Sequence, residues 1–136
     1  MGTNFKTEAV DPQNPCGKRI EVTIPYQVYL NLYKYSPVRY ENLCCAKEVL
    51  LNPRRIFSGL REHNEGGWCF VGRPAKWHIK EFQTAPFPDY FVFTVYVNPN
   101  FQLYESRADK AAEDDVESPK DWQTRYGALI WKKDIS

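Results

Sequence analysis

The sequence predicts an α+β domain with N-terminal helices, a four-stranded and mostly antiparallel sheet arranged as a meander, and a closing C-terminal helix. Residues 36–52 carry the start signal, apolar spacing and stop signal of a helix. Short apolar runs separated by turn residues follow over 68–106, as is typical of antiparallel strands. A second Ser-Pro pair at 118–119 precedes an apolar stripe at helical spacing. Because helical and strand patterns occupy separate parts of the chain, we expect an α+β fold.

Length and composition favour a single soluble domain. The 136 residues are 43% hydrophobic and 15% aromatic, which excludes a disordered or collagen-like chain. The longest uncharged apolar run, residues 90–97, is shorter than the roughly 18 residues that a membrane helix needs. The N-terminus lacks the apolar segment of a secretory signal. We therefore expect a flexible arm over 1–18, a single domain over 19–136 and a cytoplasmic location.

Charge is distributed unevenly along the chain. The formal net charge is +1, but residues 1–80 carry 12 basic and 7 acidic side chains, whereas residues 81–136 carry 6 and 10. This asymmetry is compatible with a basic face that meets an anion, and equally with ordinary solvated surface. The cysteines have no zinc-binding spacing, so we expect free thiols. They are Cys16, Cys44, Cys45 and Cys69.

The first elements after the arm are a strand and a segment with two interpretations. Residues 18–24 alternate between apolar and polar side chains, which predicts a short strand ended by Pro25. Residues 26–35 fit both a helical stripe and strand alternation. We favour a helix because proline suits the first helical position.

The best-marked helix is expected over 38–51. Ser36 is a hydroxyl N-cap, and the proline after it suits the first turn. Asn52 ends the helix because the residue before a proline is pushed out of the helical region. Residues 54–67 are polar and rich in turn residues, so we expect a loop there. The expected buried stripe consists of Leu43, Cys45, Ala46, Val49 and Leu50.

The second half of the chain predicts a meander of strands and then a helix. The run 90–97 is apolar on both faces, which indicates a central strand, and the turn 98–100 joins it to the next strand as a hairpin. Residues 109–117 form an acidic connector. The strands are expected at 68–71, 76–80, 90–97 and 101–106. The closing helix has an apolar inner face made by Trp122, Tyr126, Leu129 and Ile130.

No familiar catalytic motif is present. The chain has no glycine-rich phosphate loop and no hydrolase or metalloprotease signature, and its two histidines are too few for a histidine-based metal site. We therefore expect no cofactor and no metal. What remains is a basic set in which strand alternation places Lys76, His78 and Lys80 on one face. Such a row suits a nucleic-acid backbone, although lysines also protect the edge of a sheet.

One segment carries a resemblance to a known family. The helix is followed by V-L-L-N-P-R-R-I-F-S-G over 49–59, then by strands with W-C-F-V and F-V-F-T-V-Y-V, and then by Q-L-Y-E-S-R. This order, over residues 37–108, resembles the barnase, colicin and RelE-like superfamily of small nucleases found in phage and polymorphic toxins. In that family a helix ends in an L-x-N-P turn, a four-stranded antiparallel sheet follows, and a polar residue near the end of the last strand helps in RNA cleavage.

The resemblance implies metal-independent cleavage of RNA, in which the ribose 2′-hydroxyl attacks the neighbouring phosphate. This reaction needs an acid, a base and cations on the phosphorane. His78 is the candidate acid or base, because an imidazole exchanges protons near neutral pH. Arg61 and Arg73 are candidates to hold the phosphate, and Tyr104 and Ser106 match the polar end of the last strand. The residues expected to contact RNA are Arg54, Arg55, Lys76, Lys80 and Arg107.

A competing hypothesis is a non-catalytic protein interaction domain. Residues 26–40 carry more tyrosines than a small core easily buries, and tyrosine is favoured at protein interfaces. A homodimer through this segment is therefore an alternative. A partly buried helix face would explain the same tyrosines.

Overall fold

The computed structural model describes residues 4–31, 39–59, 67–72, 91–110 and 127–133. These residues form two sheets and two helices. In chain order the elements are β1 (Phe5–Ala9), β2 (Ile20–Ile24), α1 (Tyr26–Leu30), α2 (Arg39–Leu51), β3 (Arg55–Ser58), β4 (Trp68–Gly72), β5 (Phe91–Val97), β6 (Leu103–Lys110) and β7 (Leu129–Lys132). Strands β1 and β2 pair with each other, and the five-stranded sheet has the order β6-β5-β4-β3-β7 with every pair antiparallel.

The predicted fold class is wrong. The described residues are mostly strand, the main sheet has five strands rather than four, and a strand lies where part of the closing helix was expected. Strand β7 pairs with β3, and its ends are fixed by hydrogen bonds from Ser58 N to Ala128 O and from Lys133 N to Arg54 O. The Leu-Ile-Trp sequence of β7 suits a strand as well as a helix, and pairing with β3 decides between them. Residues 118–126 lie outside the described part.

Two further strands lie where no strand was expected. The predicted flexible arm contains β1, which pairs with β2 along its whole length, and the predicted loop after α2 contains β3. Strand β3 is short, but Ile56 and Phe57 are buried on its opposite faces. Neither strand has a strong local pattern, and both are stabilised by neighbours distant in sequence. Residues 5–9, within the predicted arm, form β1.

Other predictions are confirmed. Strand β2 ends before Pro25, α1 covers the start of the segment for which a helix was favoured, and α2 ends at Leu51 before Asn52. The apolar run at 68–71 lies in β4, and β5 and β6 form the expected hairpin, with residues 93–97 of β5 all buried. The predicted strand at 76–80 lies outside the described residues. No helix in the described ranges is long and apolar enough to cross a membrane.

Helix α2 covers one face of the five-stranded sheet, which we call the helix face. All residues of the predicted apolar stripe of α2 are buried there, and side chains of β1 and β2 join the same core. The sheet contributes Ile56, Phe70, Phe93 and Val95 to this core. The opposite side, which we call the second face, has its own buried cluster of Phe57, Cys69, Val71 and Tyr96. Both faces of the central strands are therefore buried, as expected for β5.

Replacing Gly127 by alanine is expected to lower the free energy of unfolding by about 1–3 kcal/mol. Gly127 has a φ of 102°, and a Cβ atom there would overlap the carbonyl oxygen of Ser58, so β7 could no longer pair closely with β3. Urea unfolding followed by circular dichroism measures the loss. The matched control is Gly17→Ala, whose added Cβ meets only the side chain of Asn14. Equal stability of the two variants would contradict this role of Gly127.

Candidate nucleic-acid interface

Strand register brings basic residues from remote parts of the chain into one row. Arg55 of β3 is paired with Lys132 of β7 on one side and with Val71 of β4 on the other. The row continues through Thr94 of β5 to Arg107 of β6. With neighbouring strands about 4.8 Å apart, this row spans roughly 19 Å across the sheet.

This row lies near one end of the sheet, which we call the basic end. Gly72, Phe91 and Lys110 also lie at this end, whereas Ser58 and Trp68 lie at the opposite end, which we call the far end. The two ends are about 13 Å apart along β4, given a rise of about 3.3 Å per residue.

Five of the predicted site residues lie outside the described ranges, but their flanking residues are placed. Arg73, Lys76, His78 and Lys80 belong to the stretch between Gly72 and Phe91, both at the basic end. Arg61 belongs to the stretch between Gly59 and Gly67, and Gly59 N donates a hydrogen bond of 3.2 Å to Gly67 O beside the far end. Gly72 and Phe91 thus flank the first stretch at the basic end, and Gly59 and Gly67 flank the second beside the far end.

The exposed cations of the basic end include residues that sequence reasoning missed. Arg54 is half-buried, and Lys132 and Lys133 are exposed. Lys133 Nζ donates a hydrogen bond of 3.0 Å to Asn52 Oδ1, and Arg19 Nη1 donates one of 2.6 Å to Leu51 O. Because α2 has no basic residue in its own last turn, these two cations supply positive charge at its C-terminus. Because the sequence predicts a helix here, Lys132 and Lys133 were not selected from it as candidates.

Two polar side chains of the row are buried. Arg55 is only 7% exposed, and Thr94 is fully buried between β4 and β6. An arginine is rarely buried to this extent. Arg55 therefore carries its charge beneath the surface, whereas Lys132 opposite it is exposed. Arg107 is placed here by its backbone register alone.

A β-bulge separates the two candidates on β6. The register of β5 and β6 shifts between Tyr96 and Val97, so Tyr104 is the extra residue. Its ring lies 5.8 Å from that of Tyr96 on the second face, and its hydroxyl oxygen is buried. Ser106 is paired with Val95, whose side chain is in the helix-face core, and Ser106 is itself buried. Simple alternation would have placed both residues on one face.

The described residues offer a limited set of acids and no metal cluster. Asp109 of β6 is the acidic residue that the described strands of the main sheet bring to the basic end, where it is paired with Val92. Among residues 4–31, 39–59, 67–72, 91–110 and 127–133, no three His, Cys, Asp or Glu side chains are grouped so as to hold a metal ion. Among the described residues, basic residues therefore outnumber acidic ones at the basic end.

Comparisons of the chain with protein-family models, with curated proteins and with solved structures found no match.

Proposed function

We propose that this chain is an RNA-binding domain of the metal-independent endoribonuclease type, which contacts the RNA backbone through the basic end of its sheet. The observation that carries the proposal is the gathering of Arg54, Lys132, Lys133 and position 107 at one end. Position 107 lies in β6 and Lys132 in β7, while Arg54 directly precedes β3 and Lys133 directly follows β7. Cationic groups spaced across several strands suit a polyanion better than a single small anion.

Element order gives the proposal a second support. Helix α2 ends in Leu50-Leu51-Asn52-Pro53, and β3, β4, β5 and β6 then follow as an antiparallel meander whose strands are neighbours in sequence order. The nuclease resemblance implies this order of a helix, an L-x-N-P turn and antiparallel strands. Strand β7 is an addition beside β3.

The proposed reaction needs a base, an acid and a cation on the phosphorane, and it needs no metal ion. A base removes the proton of a ribose 2′-hydroxyl, the 2′-oxygen bonds to the adjacent phosphorus, and the bond from phosphorus to the 5′-oxygen breaks. The products are a 2′,3′-cyclic phosphate and a 5′-hydroxyl that has received a proton from an acid. We assign His78 to proton transfer and Arg73 to the phosphorane oxygens.

Three sequence candidates are left out of the proposed catalytic set. Tyr104 has a buried hydroxyl and packs on Tyr96, and Ser106 is buried on the opposite face. Arg61 belongs to a stretch whose flanking residues lie at the far end. Arg54, Lys76, Lys80 and Arg107 stay proposed RNA contacts, to which we add Lys132 and Lys133.

Incubation of the protein with end-labelled single-stranded RNA in EDTA tests this function directly. We expect shortened products that end in a 2′,3′-cyclic phosphate, because the reaction requires no metal. Products are resolved on denaturing gels, and the cyclic end is identified by its resistance to phosphatase before acid treatment. If the protein neither cleaves the RNA nor binds it in a salt-sensitive way, the proposal is refuted. An interaction domain then remains, the class that the exposed aromatic residues Phe5 and Tyr26 favour.

A further inference from the structure

Strand β1 is an edge strand with two chemically different faces. Among the described residues it pairs with β2 on one side only. Phe5, Thr7 and Ala9 share the face of Ile24, Val22 and Ile20, which turns toward the core. Lys6 and Glu8 share the other face with Thr23 and Glu21, where Lys6 and Glu8 are exposed. Within the described residues no strand lies along the other edge of β1, and its outer face presents one cation and one anion, two residues apart.

The charges on this outer face are incompletely balanced within one chain. Glu8 lies directly opposite Glu21, an arrangement of like charges that destabilises a strand pair. Lys6 forms an ion pair of 3.3 Å with Glu21, and both side chains are more than 60% exposed. Within the described part of the chain, Glu8 has no cation paired with it. A second cation beside Glu8 would relieve its repulsion with Glu21.

We propose that β1 pairs in antiparallel fashion with β1 of a second copy of this chain, with Thr7 at the two-fold axis. In that register Lys6 faces the second copy's residue 8, and Glu8 faces the second copy's residue 6, so both pairs are of opposite charge. The sequence Phe5–Ala9 is thus self-complementary about Thr7. Two-fold symmetry makes each of these residue pairs occur twice in the dimer, as an isologous interface requires.

Aromatic side chains at the end of β1 extend the same surface. Phe5 stacks on Tyr29 of α1 with ring centroids 4.1 Å apart, and Tyr29 stacks on Tyr26 at 6.5 Å. Phe5 and Tyr26 are nevertheless 40% and 37% exposed. Antiparallel pairing places Phe5 opposite Ala9 of the second copy and covers apolar area that one chain leaves in water.

A lysine on an edge strand often prevents such pairing, because two lysines meet when edges align. Here the self-pairing register instead places each Lys6 opposite a glutamate. The charges therefore favour this register over pairings shifted by one or two residues. The interface is small, with five residues from each strand, so we expect a weak and reversible dimer. This inference is independent of RNA binding.

Sedimentation velocity over about 10–500 µM protein tests the dimer, a concentration range suited to a small interface. The wild-type chain is expected to shift from monomer to dimer. In Glu8→Lys, Lys6 of each chain faces a lysine at residue 8 of the other, so the interface gains two like-charge pairs. This is expected to weaken the dimer by about tenfold or more. The same change removes the Glu8–Glu21 repulsion within a chain, so loss of the dimer cannot be ascribed to unfolding of β1. Lys47→Glu, an exposed change on α2, is the matched control and should dimerise like the wild type.

Mixing two variants makes the test specific for contact between chains. Lys6→Glu alone should also dimerise poorly, but a mixture of Lys6→Glu with Glu8→Lys should form heterodimers, because residue 6 of each chain then meets an opposite charge at residue 8 of the other. Circular dichroism checks that each variant is folded. A wild-type chain that stays monomeric throughout, a Glu8→Lys variant that dimerises like the wild type, or a mixture without heterodimers would each overturn the proposal.

Discussion

A His78→Ala variant is expected to cleave RNA about 10³-fold more slowly than the wild type, because it loses the group assigned to proton transfer. Adding Arg73→Ala is expected to lower the rate further, since the phosphorane then loses a cation. Initial rates on labelled single-stranded RNA in EDTA measure both effects. RNA affinity should fall much less in His78→Ala than the rate does, because an imidazole contributes little to backbone binding.

The matched control is His63→Ala, which removes the other histidine. His63 belongs to the stretch between Gly59 and Gly67, whose flanking residues lie beside the far end of the sheet. We expect the wild-type rate for this control. A wild-type rate in His78→Ala, or equal losses in the two histidine variants, would remove His78 from the proposed mechanism.

A Phe70→Ala variant is expected to lose about 3–5 kcal/mol of unfolding free energy, which is a large part of the total stability of an ordinary domain. Phe70 is fully buried on β4, the middle strand of the sheet, and its cross-strand partners Ile56 and Val95 belong to the same core. Truncation leaves a cavity beneath α2 that these neighbours cannot fill. Urea unfolding followed by tryptophan fluorescence measures the loss.

Ile130→Ala is the comparison for Phe70→Ala, because Ile130 is 43% exposed on β7. We expect this variant to stay within about 0.5 kcal/mol of the wild type, as is usual for surface positions. Similar losses at the two positions would mean that the core does not lie between α2 and the sheet.

Local signals predicted those elements whose own residues determine them. Helix α2 carries an apolar stripe and a proline stop, and β5 is apolar on both faces, so each could be read without knowledge of its neighbours. Strands β1, β3 and β7 are four or five residues long and have mixed patterns. Their conformation depends on pairing with distant partners, and β7 in particular becomes a strand because β3 offers it an edge.

The candidate site likewise contains residues that the sequence itself marks and residues that only strand pairing brings in. Arg54 and Arg107 could be selected from the sequence, because Arg54 is a basic residue in the loop after the predicted helix and Arg107 follows the predicted last strand. The contribution of Lys132 could not, because it follows from the pairing of β7 with β3. The separation of Tyr104 from Ser106 depends on a bulge, and one extra residue reverses the face of everything after it. Register of this kind is a property of the pair of strands and has no signature in either strand alone.

The salt dependence of RNA binding tests most directly whether the basic end contacts the backbone. Fluorescence anisotropy of labelled single-stranded RNA is measured in EDTA at several salt concentrations, with nanomolar protein so that the β1 dimer is dissociated. We expect the wild-type affinity to fall as salt rises. In a Lys132→Ala plus Lys133→Ala variant the slope of log affinity against log salt should shrink by about 1.4, which corresponds to two lost phosphate contacts. Lys6→Ala, opposite Thr23 and near the far end, should keep the wild-type slope. An unchanged slope in the double variant, or an equal change in the Lys6 control, would contradict RNA binding at the basic end.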